Sequence, residues 1–254
     1  MKESGEEKRM ITKWMIRCKI EELLSEEYAC SMDELHKKGT IYTVNAHTEQ
    51  PYIKIMAYKN CVVVCTSKPV QEKVRRLLQG KTRDEIFELP LVYGQTIHYV
   101  PDSGFISPAA TLPDCKWEFL FEKEVLSLAG LTGFENAVAF EADSTTPTKA
   151  ACVAEHNGKI IGAAGAAESS VDSVWEMGVD VREEYRNAGL GTFLVDRLAR
   201  ELLARQIIPF YSASVTNIGS QMVAYRCGYC PMWVDTFGTV LDGSSVYEGL
   251  INGF

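Results

Sequence analysis

The chain has 254 residues, of which 46% are apolar and 24% charged, and its formal net charge is −8. That make-up buries a sizeable core in one large domain or two small ones; it excludes intrinsic disorder and argues against nonspecific nucleic-acid binding, which needs clustered Lys and Arg. No run reaches the roughly 18 consecutive apolar residues of a membrane-spanning helix, and the charged start at Met1 has no apolar signal core behind it, so a cytoplasmic protein without membrane contact is expected.

In chain order, residues 10–27 read as a helix with Met10, Ile11, Trp14, Met15 and Cys18 on one stripe, expected to face the core. Tyr52–Tyr58 and Cys61–Cys65 flank Lys59-Asn60 as a β-hairpin, and Cys61 and Cys65 fall on one strand face. Pro69 suits a first helical turn, Val70 to Leu78 continue that helix, and Gly80 closes it. Gln95 to Val100 follow as a strand. Three prolines between 101 and 115 form the best linker, dividing a smaller α+β domain at 1–115 from a second domain at 116–254. The first half offers no motif that carries chemistry. His36, His47 and His98 stand isolated, with surface or hydrogen-bonded structural roles expected for each.

In the second half, Trp117 to Leu131 read as helix-like. Ala151–His156, Asn157-Gly158 and Lys159–Ala163 are two strands about the strongest short hairpin signal. A third strand spans Val174 to Val181. Leu190 to Arg205 form an amphipathic helix with Leu190, Phe193, Leu194, Leu198 and Leu202 on one face. Ile207–Ser214 read as a strand, Asn217–Cys227 as a short helix, and Gly228–Val240 as the last strand. The eight cysteines are scattered and expected free; Cys227-Gly-Tyr-Cys230 lacks the nearby second pair that tetrahedral zinc needs, so no metal is expected.

Chemistry concentrates after the strand ending at Val181, in Arg182-Glu-Glu-Tyr-Arg186-Asn-Ala-Gly189-Leu-Gly191-Thr192. A glycine turn entering a helix aims unpaired N–H groups and the positive helix end at one point, which is an anion site suited to phosphate or pyrophosphate. Arg186 and Arg182 could add full charge. The dinucleotide fingerprint fails because its third glycine position is Leu194, and a P-loop's Gly-Lys-Ser/Thr is absent.

The stretch Glu176-Met-Gly-Val-Asp-Val-Arg-Glu-Glu-Tyr-Arg-Asn-Ala-Gly-Leu-Gly191, with Asn217-Ile-Gly-Ser220 and Cys227-Gly228-Tyr229 after it, resembles the GNAT superfamily of N-acetyltransferases, in the branch with an extra N-terminal domain. The resemblance runs from about Ala151 to Val240. It implies a mixed, mostly antiparallel α/β sheet flanked by helices, and acetyl-CoA as co-substrate. The amides of Asn187, Ala188, Gly189, Leu190, Gly191 and Thr192, beside Arg186, would cradle its pyrophosphate. Val179 and Val181 would pair with its pantetheine arm, Val179 would meet the thioester carbonyl, and Asn217 and Ser220 would line the far side.

Acetyl transfer by direct attack then needs a base, for which Glu176 is the candidate and Asp172 the second choice. Many members place an acid tyrosine where this chain has Ala224; Tyr225 is the nearest substitute, with Ser220 or water as alternatives. A non-catalytic acyl-CoA-binding regulatory module is the alternative function, favoured by Ala224. The expected partner is a small-molecule or peptide amine, with no nucleic acid and no membrane, and a homodimer stays open.

Overall fold

Alanine-rich and β-branched runs from both halves of the chain pair into one sheet, seen in a computed structural model that describes residues 10–89, 92, 94–102 and 115–240. The prolines of the predicted linker fall largely outside the described residues. The strands are β1 (Gly39–Val44), β2 (Tyr52–Tyr58), β3 (Cys61–Thr66), β4 (Thr96–Pro101), β5 (Lys116–Phe121), β6 (Thr148–His156), β7 (Lys159–Glu168), β8 (Val174–Val181), β9 (Ile208–Ser214), β10 (Tyr229–Asp235) and β11 (Thr239–Val240). Their order across the sheet is β1-β3-β2-β10-β4-β9-β8-β7-β6-β5, with β11 beside β2. Pairing is antiparallel except at β1–β3 and β8–β9.

The hairpin of β6 and β7 turns at Asn157-Gly158, both at positive φ as the turn demands. On one face of the sheet lies α5 (Leu190–Ala204), which buries Leu190, Phe193, Leu194, Leu198 and Leu202 against Met177, Tyr211 and Tyr229, as its period predicts. The short α6 (Ile218–Arg226) joins it there. On the other face lies α1 (Lys13–Glu27), capped by the Thr12 hydroxyl accepting from the Met15 N–H at 3.3 Å. The small helices α2 (Met32–Leu35), α3 (Gln71–Leu78) and α4 (Arg83–Phe87) complete the N-terminal half.

Two expected elements differ. The buried face of α1 is Ile16, Ile20, Leu23 and Leu24, whereas Met10 is 85% and Trp14 64% exposed. The helix carries two apolar stripes, and Trp14 lies about 200° around from Ile16, so only the second stripe can meet the sheet. Trp117 to Leu131 is not a helix. It is β5 followed by a 3₁₀ turn at Glu122–Leu128, because Trp117, Phe119 and Phe121 repeat every second residue and pair along β6. The Glu124 carboxylate accepts the Phe121 N–H at 3.0 Å where that strand ends.

Candidate active site

The parallel register of β8 and β9 runs from Val174 opposite Ile208 to Met177 opposite Tyr211 and stops there, while β8 continues to Val181 and β9 to Ser214. Beyond that point β9 pairs with β4 on its other side, so β8 and β9 part and one edge of Gly178–Val181 is left open. Val179 and Val181 lie on this edge, half-buried, with their side chains against the α5 core.

The turn leaving β8 contains a short 3₁₀ segment, Glu183–Tyr185, then Arg186, Asn187 at φ +62° and Gly189 at φ +84°. Gly189 is the N-cap of α5 and has no side-chain cap, so the first N–H groups of a four-turn helix, at Leu190, Gly191 and Thr192, point out with nothing from the cap between them and a ligand. A side chain at Gly189 would be strained in this left-handed conformation. Arg186 is exposed, its Nε bonded to Val181 O at 2.9 Å. Arg182 is committed elsewhere: Nε donates to Ile160 O at 2.7 Å and the guanidinium lies over the Phe134 ring.

Across the opening, Asn217 caps α6, its Oδ1 accepting the Ser220 N–H at 3.0 Å. The Ser220 hydroxyl is 2.7 Å from that of Tyr211, a buried phenol whose pKa burial pushes up to about 12. Tyr225 is 67% exposed on the outer face of α6, and Ala224 is fully buried.

On the opposite face of the sheet, a cavity of about 270 Å³ is lined by Asn136, Ala137, Thr148, Glu176, Gly178 and Ser212 among others. Its wall is set by a close approach: a Cβ on Gly178 would lie 1.8 Å from Asn136 O, so only glycine lets the 136–137 backbone lie on β8. Asp180, two residues on, fastens that segment, accepting from the Asn136 and Ala137 N–H groups at 2.8 and 2.9 Å and from Asn136 Nδ2 at 2.7 Å. Neither contact was visible in the sequence, because residues 136 and 180 are far apart in the chain. Asp172 sits in the turn before β8, exposed, and is not among the residues lining the cavity.

Glu176 projects into this cavity, and Ser212 Oγ donates to its Oε1 at 2.5 Å. His98 is not isolated. Its Nδ1 is 2.8 Å from Ser212 Oγ and its Nε2 is 2.8 Å from Asp235 Oδ1.

A match to the acetyltransferase (GNAT) family covers residues 117–229, which take in the parted strands, the glycine turn and α6. Residues 117–229 form a GNAT acetyltransferase domain. The chemistry of that family is acyl transfer from an acyl-CoA. Among solved structures, the chain is similar to a GCN5-related N-acetyltransferase-like protein from Streptococcus suis, at 15% identity and TM-score 0.48 over 89% of this chain and 99% of that one. It is similar also to a GNAT-family acetyltransferase from Colwellia psychrerythraea, at 12% identity and TM-score 0.44 over 72% of this chain and 64% of that one. A GNAT-family protein from Novosphingobium aromaticivorans is similar at 17% identity and TM-score 0.42; the match covers 56% of this chain and spans 63% of that chain's length. No curated protein matches the chain. Among the described residues, no helix of the GNAT domain or of the N-terminal half is long and apolar enough to cross a membrane.

Proposed function

We propose that the protein is an N-acetyltransferase that moves an acetyl group from acetyl-CoA to a primary amine by direct attack, with Glu176 as the base. The observation that carries the reading is the meeting of three features: β8 and β9 part after Met177, an uncapped glycine opens α5 beside the parting, and a carboxylate on the same strand lines a cavity. These residues fit acetyl-CoA. The cradle at 187–192 offers backbone donors and the positive end of α5 to a pyrophosphate, with Arg186 beside it, and the open edge of β8 offers the backbone groups of Val179 and the N–H of Val181, whose carbonyl accepts Arg186 Nε, to an extended amide chain.

When bound, acetyl-CoA supplies the acetyl thioester. The chain's residues supply the rest: the β8 edge orients, with the Val179 N–H as candidate donor to the carbonyl, Asn217 and Ser220 border the opening, and Glu176 takes the proton of the attacking amine. The acceptor is read as a small-molecule or peptide amine, and an acidic surface weakly favours cationic ones. The compartment we assign is the cytoplasm.

Calorimetric titration of acetyl-CoA into the wild type, with NAD and ATP as controls, tests the reading. Micromolar binding of acetyl-CoA alone, abolished in a Gly189→Val variant that still folds, is the expected outcome. Unimpaired binding by Gly189→Val would remove the pyrophosphate assignment. A panel of polyamines, aminoglycosides, amino acids and peptides, followed by thiol release, then identifies the acceptor.

A further inference from the structure

The sheet sets one polar side chain from each of four adjacent strands on the same face: Glu176 on β8, Ser212 on β9, His98 on β4 and Asp235 on β10. Register makes the central link, since His98 stands directly opposite Ser212 in the antiparallel β4–β9 pair. The chain of contacts begins in the cavity at exposed Glu176 and ends at buried Asp235, which also accepts the Tyr28 hydroxyl at 2.8 Å and lies 3.5 Å from Lys54 Nζ. The Trp233 ring stacks on the His98 imidazole with centroids 4.3 Å apart and planes 1° from parallel, holding the imidazole plane fixed.

We propose that Ser212, His98 and Asp235 are a proton relay behind Glu176, so that the N-terminal half supplies a positioning residue, His98, to the acetyltransferase site. The proposal rests on Glu176 being the base. Proton positions follow from donor and acceptor counts. Burial pushes Asp235 up, but the bond to His98 and the charges of His98 and Lys54 outweigh it and keep the carboxyl below its ordinary range. An ionised carboxylate only accepts, so His98 Nε2 carries a proton and donates to Asp235.

Nδ1 can then stand in two states. Without a proton, it accepts the Ser212 O–H, and Glu176 is released to receive a proton from an amine. Once Glu176 has that proton, its O–H donates to Ser212 Oγ, and a shift of both protons along the chain breaks the Glu176 O–H bond and the old Ser212 O–H bond. The new bonds are a Ser212 O–H, now donated to Glu176, and His98 Nδ1–H. The Glu176 carboxylate is restored, and the amine's proton rests on an imidazolium facing Asp235. No electrons are transferred. The leaving thiolate takes its proton from a hydroxyl at the edge of the opening, which solvent resupplies, and His98 returns one to solvent before the next turnover. The titratable and charged groups around this unit are Glu176 and Asp235, with Glu27 at the end of α1, Tyr28 at its C-cap, and Lys54 and Tyr52 from β2 behind Asp235.

The test uses the whole 254-residue chain. The chain has four histidines, and His98 is assigned in long-range ¹⁵N spectra by comparison with His98→Gln. Its protonation is then followed against pH in the wild type, Glu176→Gln, Ser212→Ala and Ser212→Thr. The relay predicts that Glu176→Gln and Ser212→Ala both lower the fraction of His98 that is doubly protonated at a given pH, and that Ser212→Thr, which keeps the hydroxyl, restores it. In turnover, with the amine identified by thiol release or with hydroxylamine as probe, Ser212→Ala should lower kcat by about 10- to 100-fold and move the acid limb of its pH profile. KM for acetyl-CoA should stay within about twofold, and Ser212→Thr should recover most of the rate. A His98 titration curve identical in all four proteins overturns the relay. Full kcat in Glu176→Gln with His98 still coupled to Ser212 overturns the base assignment instead, and with it the relay's part in turnover.

Discussion

A carboxylate that takes a proton from an attacking amine must reach the acceptor side of the cleft while staying fixed against the strand that orients the thioester. In the proposed mechanism Glu176 fills both roles, since it lines the cavity and is tied to Ser212, and it precedes by three residues the Val179 proposed to face the carbonyl. Glu176→Gln keeps the shape and removes the base, so kcat should fall about 10²- to 10³-fold with acetyl-CoA affinity unchanged, a split that single-turnover rates and calorimetry read separately. The proton for the leaving thiolate has two hydroxyl candidates. Ser220 is held by Tyr211 at the edge of the opening, whereas Tyr225 lies largely in solvent. Loss of rate in Ser220→Ala with none in Tyr225→Phe is the outcome this geometry favours, and the reverse result would return the role to Tyr225.

At the scale of elements, the cavity depends on an irregular segment lying flat on a strand. The backbone at Asn136 and Ala137 rests on Gly178 and is fastened by Asp180. Gly178→Ala must push that segment off the sheet, with a cost of about 2 kcal/mol or more in urea unfolding and a raised KM for the amine, while acetyl-CoA binding on the other face is retained. How much of this was readable follows the range of the signal. The hairpin about Asn157-Gly158 and the amphipathic α5 are specified by neighbours in sequence, and the glycine turn between them and the cradle is equally local. The aromatic alternation at Trp117, Phe119 and Phe121 was local too, but it was overridden by a helical reading of the segment that follows. For α1, periodicity showed apolar stripes and gave no means of telling which one meets the sheet. His98 could not be found from the sequence at all: Ser212 is 114 residues away and Asp235 137, and only the pairing of strands from the two halves brings them together.

At the scale of the molecule, the two halves share one sheet, because β4 lies between β9 and β10, and β10 in turn pairs with β2. The buried polar cluster at this junction makes stability depend on pH. A carboxyl held below its unfolded pKa of about 3.9 stabilises the fold above that pH and loses its contribution as acid protonates it in the folded state. Asp235 is such a group, with burial pushing it up and the His98 bond, His98 and Lys54 outweighing that. Asp235→Asn should therefore cost about 3 kcal/mol at pH 7, where the pair is broken, and progressively less below pH 4, as urea midpoints across that range would show.

The same arrangement makes β1 to β4 part of the sheet that carries the proposed site. Removing residues 1–115 takes away β4 and β2 together, which leaves β10 with no strand to pair with and β9 paired with β8 alone, and strips α1 from Val174, Ile208, Phe210 and Trp233. Unpaired edges beside an uncovered apolar face favour aggregation over folding. A chain starting at Lys116 should accordingly be insoluble or cleaved by protease at rates typical of unfolded protein, and supplying residues 1–115 separately should recover soluble protein. If that shortened chain instead folded and acetylated amines at the full rate, the N-terminal half would be neither part of the fold's core nor a contributor to the site, and the relay through His98 would fall with it.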